Sequence, residues 1–273
     1  MSRYMHWSSL VLALLAAASL PSQGRGEEAD RWLSSVECQG RSECRARRSL
    51  PTNKIESSLV HGVAVMNCAG VPVRVAAASS DEHRLACDAA GIALKLMSAC
   101  DIGPKRSITL RLQGEISAPL SKSEMLGLFD TERDLVLVVH LDRVPGLIKD
   151  TPFARLPVRD TYTSIVVHEV IHALIHQNLI RPLTNRAAIE YPAFALQIES
   201  LPPNSRAAYL ASFSRADVED NKVSFNDITL MLDPFLFAAR AYHHFKSSAN
   251  PCSLIANIMK ASADFIFTIP EGF

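Results

Sequence analysis

The stretch from Ile165 to Ile175 constrains this chain more than any other. It is apolar at Ile165, Val166, Val167, Val170, Ile171, Leu174 and Ile175, positions that cover most of a helical circumference, and it carries His168, Glu169 and His172 among them. Pro157 and Asp160 precede the run, and Pro182 follows it, which predicts a helix of about twenty residues ending near Asn178. A helix that is apolar all round is a buried one. Two imidazoles and a carboxylate facing a core without partners would cost several kcal/mol, so the fold has to supply something for them to bind.

His168-Glu169-Val170-Ile171-His172 is an H-E-x-x-H motif. Side chains at i and i+4 leave the same face of a helix one turn apart, so both rings can grip a single Zn²⁺ at about 2.0–2.1 Å. Glu169, one residue step round, lies beside the ion, where its carboxylate can take a proton from a metal-bound water and return it to a leaving amine. A catalytic zinc needs a third protein ligand and an open position. His176 continues the i+4 series but sits about 12 Å along the axis from His168, so it belongs at the rim. Asn178 and Ile175 stand where an extended H-E-x-x-H-x-x-G-x-x-H motif needs His and Gly, which excludes that arrangement. Glu190, 18 positions past His172 on the next predicted helix, can return to the metal if the chain folds back at Arg181-Pro182. Glu199 falls near the opposite face of that helix and reads as solvated. Glu190 is therefore the expected third ligand. For stabilising an oxyanion, Tyr242 and His243 are the first candidates, with His244 on the same late helix and Tyr191 as alternatives.

The segments His168-Glu169-Val170-Ile171-His172-Ala173-Leu174 and Glu190-Tyr191-Pro192-Ala193-Phe194-Ala195 resemble the gluzincin metallopeptidases, especially the small peptidase-MA-like group, and a family of exported proteobacterial zincin-like proteins. The resemblance implies His168, His172 and Glu190 as zinc ligands, Glu169 as general base, and a peptide or protein substrate. It also implies that the strand before the helix, Leu135–Leu141, edges the cleft and pairs with extended substrate. Tyr191 and Phe194 depart from the pattern: relatives often carry Gly and an acidic residue there. A catalytically inactive zincin-like binding protein in the periplasm is the alternative reading.

The rest of the chain is consistent with an α+β, zincin-like fold: an N-terminal mixed β-sheet with a helix, the central active-site helix, and a C-terminal helical lobe. Leu59–Asn67 and Val71–Ala76 read as strands around Ala69-Gly70. Ser79 and Glu82 form a capping-box signature for a helix running to Cys100. Ile108, Leu110 and Leu112 alternate with polar residues, as in a half-buried strand, and Leu135–Val139 is β-branched and apolar. Helices are expected over 187–199, broken or started by Pro192, and over 204–213, 227–246 and 250–264. Sheet first and helices afterwards is the α+β order.

At the N-terminus, Arg3, the uncharged run Trp7–Leu20 and the polar exit Pro21–Gly24 have the layout of a secretory signal peptide over residues 1–24. The mature chain is then exported, periplasmic or secreted, with no transmembrane segment. A polar arm over 25–57 and a single domain over 58–273 follow, the latter divided into a sheet-rich lobe (58–157) and a helical lobe (158–273). Six cysteines in an exported chain predict three disulfides. Cys38 and Cys44 suit a local staple. Cys87 and Cys100, about 20 Å apart along one helix, cannot pair with each other. A zinc–cysteine site is the competing reading, weakened because no C-x-x-C pair exists. With 28 basic and 28 acidic side chains there is no cationic surplus to neutralise phosphates, which argues against nucleic-acid binding.

Overall fold

The computed structural model describes residues 65–117, 124–180, 185–219 and 225–260. The expected signal peptide, the polar arm, Cys38 and Cys44, the beginning of the first expected strand, the turn at Arg181-Pro182 and the end of the last expected helix lie outside those residues.

Five strands form one mixed sheet: β1 (Val65–Asn67), β2 (Val73–Ala76), β3 (Ile108–Gln113), β4 (Gly127–Asp130) and β5 (Leu135–Val139). Their spatial order is β1-β2-β3-β5-β4. The inner strands β2, β3 and β5 are parallel, while β1 and β4 run antiparallel along the two edges. In β3, Ile108, Leu110 and Leu112 are buried and the residues between them half-buried, the alternation read from the sequence. All five residues of β5 are buried, because it lies between two neighbours and under helices. This corrects one expectation: Leu135–Val139 is an inner strand, and the edge beside the central helix is β4. Four residues beginning with glycine and ending with aspartate carry no alternation long enough to read as a strand.

Nine α-helices are assigned among the described residues. The first, α1 (Ser80–Ser98), connects β2 to β3. Ser79 caps it by accepting the Glu82 backbone N–H. The capping box stays incomplete, because the Glu82 carboxylate instead accepts the Leu141 backbone N–H at 2.9 Å and meets His140 Nδ1 at 3.1 Å. After the short α2 (Val144–Ile148) comes the central helix α3 (Val158–Asn178), buried on nearly every side. It packs against α1, β4, β5 and α4 (Arg186–Ser200). Pro192 lies inside α4 without ending it.

Further along are α5 (Pro203–Leu210), α6 (Arg215–Val218), α7 (Asp227–Leu232), α8 (Pro234–Ser247) and α9 (Pro251–Met259). The single helix expected over 227–246 is thus two. Pro234 has no N–H to continue α7, and Asp233 caps the new helix by accepting the N–H groups of Phe235 and Leu236. Among the described residues, no helix is long and apolar enough to cross a membrane.

Two disulfides join these parts, Cys68–Cys87 and Cys100–Cys252. The second fastens the end of α1 to the start of α9 across a sequence separation of 152 residues. Closing so long a loop removes much of the unfolded chain's freedom, by about 4–5 kcal/mol in the chain-entropy account. Replacing Cys100 and Cys252 together by Ser should lower the urea midpoint clearly, whereas a shift within error would mean that the loop is closed by packing alone.

Candidate metal centre

The buried helix α3 packs along its neighbour α4. Helix α3 presents His168 and His172 to α4, and α4 presents Glu190 back. The Nε2 atoms of the two rings lie 2.9 Å apart. Glu190 Oε2 lies 3.2 Å from His168 Nε2 and 3.4 Å from His172 Nε2. All three side chains are largely buried, and Oε2 accepts no hydrogen bond despite these short approaches. Protons serve this arrangement poorly, since one N–H shared between the two rings leaves the buried Glu190 Oε2 without a partner.

A cation serves it well. Ligands about 2.0–2.1 Å from a tetrahedral Zn²⁺ are separated from each other by about 3.3 Å, close to the three distances found. Among the described residues, only one other group of three such donors comes as close together, Cys68, His83 and Cys87, and two of its members are joined in a disulfide. The residues present therefore fit one divalent ion held by two imidazoles and a carboxylate.

Glu169 lies against the edge strand. Its carboxylate meets the backbone N–H of Phe129. Burial raises its pKa, against the opposing pull of His168 and His172. Burial also disfavours charge on Glu190, but the neighbouring His172 and His168 rings outweigh it and hold that carboxyl far below the usual range. Burial would lower the pKa of His172, yet the two carboxylates raise it. Of the two acids, one is thus held ionised between the rings and the other is disposed to carry a proton.

Gly127 on β4 is a residue that motif reading missed. A Cβ placed there would lie 2.6 Å from Glu169 Cγ and 2.7 Å from Oε1. The only sequence signal was an isolated glycine in a short apolar run, which marks a close approach. Gly127→Ala should push the Glu169 carboxylate aside at a cost of about 1–3 kcal/mol. The variant should unfold at lower denaturant while binding zinc with unchanged stoichiometry. A variant as stable as the parent would show that the strand and Glu169 are not in register.

The remaining candidates lie elsewhere. Tyr242 Oη accepts from Arg206, which also pairs with Glu199. Glu199, expected in solvent, is in fact half-buried between Arg206 and Lys246. His243 lies 3.8 Å from Glu219, and His244 Nδ1 is 2.7 Å from Tyr191 Oη. His176 sets its ring at a tilt against Phe129 and approaches Asp134 at 4.0 Å, outside the three-ligand group. His140, just past β5, is held by Glu82 at the start of α1. Phe194 sets its ring against His168, 4.7 Å between centroids, and His168 Nδ1 has no hydrogen-bond partner.

Fold and site together define an α+β protein with a buried centre of two histidines and one carboxylate between adjacent helices. The model of a family of unknown function (DUF6639) matches residues 73–268, from β2 past the end of α9, and the chain belongs to that family. Comparison with curated proteins and with solved structures finds no match.

Proposed function

We propose that the chain is an exported, zinc-dependent metallopeptidase of the gluzincin type. The observation that carries this reading is the convergence of His168, His172 and Glu190 on one point, with Glu169 buried beside them against an edge strand. His168 and His172 Nε2 and Glu190 Oε2 would hold Zn²⁺. When bound, the ion supplies a Lewis acid for the scissile carbonyl and makes a water acidic enough to act near neutral pH. Glu169 would take a proton from the attacking water on its carboxylate and pass it to the departing amine. Among the described residues edge strand β4 pairs only with β5, and extended substrate can add along its other side beside the Phe129 N–H that Glu169 takes. The signal-peptide layout and the disulfides support export.

The test is cleavage of denatured casein or a peptide library by the mature protein. Hydrolysis that is abolished by a chelator and restored by Zn²⁺ is expected. A second reading, a zincin-like protein that binds without cleaving, draws on Phe194 against His168 and on the engagement of Tyr242 and His243 with other partners. Metal bound in full with no hydrolysis of any substrate would favour it.

A further inference from the structure

A second set of metal-ligating atoms lies at the opposite end of α1 from Cys100. His83 and Cys87 occupy i and i+4 on that helix and so share a face, the same spacing that His168 and His172 use on α3. A His83 ring nitrogen lies 3.6 Å from Cys87 Sγ. Cys68 comes in from the β1–β2 turn, where the positive φ of Gly70 lets the chain reverse. The three donor atoms lie within 4.8 Å of one another. Cys87 and His83 are half-buried, so a small reductant can reach the pair from solvent. Neither the proposed peptidase chemistry nor the core needs an imidazole beside this sulfur.

We propose that Cys68, His83 and Cys87 form a second metal site, one that takes a thiophilic ion of the Zn²⁺ class when the Cys68–Cys87 disulfide is reduced by a dithiol. A thiolate of the reductant attacks Cys87 Sγ, the bond to Cys68 breaks, and Cys68 leaves as a thiolate. The second thiol of the reductant then displaces Cys87, and the reductant departs as its own disulfide. Two electrons have passed to the cysteine pair. Freed from each other, the sulfurs can separate to the roughly 3.8 Å of two thiolates on one ion with Zn–S bonds of about 2.3 Å, and the exposed turn at Ala69-Gly70 can give by that amount. Metal binding displaces the protons still held by the two thiols. His83 supplies the third donor, giving the S₂N set that thiophilic metals prefer. Oxidised, the same residues form a structural bridge. Reduced, they bind metal, so occupancy reports the redox state.

The experiment uses the full chain, reduced with a phosphine under anaerobic conditions, freed of excess reductant and titrated with Co²⁺, with circular dichroism following the fold. The phosphine becomes its oxide, taking oxygen from water. The expected result is one equivalent of Co²⁺ beyond that bound by the unreduced protein, with a sulfur-to-cobalt charge-transfer band. The two-histidine, one-carboxylate centre has no sulfur and cannot give that band, so this outcome is independent of the peptidase reading. In His83→Ala the band should weaken and the affinity fall by more than the roughly 10–100-fold that loss of an outer hydrogen-bond partner costs. Cys87→Ser should abolish both. No band, a band indifferent to His83→Ala, or loss of the fold on reduction would each overturn the proposal.

Discussion

Glu169→Gln should reduce kcat/KM for a cleavable peptide by about 10²–10⁴-fold, the usual contribution of a positioned general base, while one equivalent of zinc stays bound. The amide has nearly the same shape as the carboxylate, so Gly127 still accommodates it and α3 still packs. It cannot accept a proton at neutral pH. The metal ligands are untouched, since His168, His172 and Glu190 meet one another through their own Nε2 and Oε2 atoms. The pairing of lost turnover with retained metal separates proton transfer from metal binding. A Glu169→Gln protein that cleaves at the parental rate would remove Glu169 from the chemistry.

His168→Ala should have the opposite signature: metal and hydrolysis lost together. Two donors hold zinc far less well than three, and the loss should exceed the roughly 10–100-fold effect of removing a residue that only orients a ligand. Truncation also opens a space next to Phe194 and leaves Glu190 a buried carboxylate with one ring fewer to balance it. Breaking such a buried pair costs about 3–5 kcal/mol. Thermal unfolding in the presence of a chelator, where both proteins are metal-free, isolates that cost. A His168→Ala protein with parental zinc content would mean that the ion sits elsewhere.

The parts of this molecule that were legible in the sequence are those whose signal is local and repeated. The central helix announced itself through seven apolar positions spread round its circumference, and β3 through strict alternation. Glu190 could be picked out because folding the next helix back brings a residue at that distance to His172, while Glu199 was misplaced because Arg206 reaches it from the start of the following helix and Lys246 from far along the chain. Edge strand β4 was illegible for a different reason. Its four residues pair with β5 across a short turn but are too few to show an alternation, the approach of Glu169 comes from far along the chain, and Gly127 has no side chain to advertise a role. The break at Pro234 was readable in principle, as aspartate followed by proline at a helix start, but the apolar pattern on either side runs through it. Disulfide partners depended wholly on tertiary placement: the helix geometry excluded Cys87–Cys100, and only the fold shows Cys68 under α1 and Cys252 beside its end.

The central claim is that His168, His172 and Glu190 hold one divalent ion between α3 and α4. Its most direct test is elemental analysis of the purified mature protein beside Glu190→Ala, both after dialysis against metal-free buffer, with unreduced disulfides. The account predicts one zinc per chain in the parent and a small fraction of that in the variant, with the fold retained in both. A parent that binds no metal, or a variant that keeps a full equivalent, would contradict it.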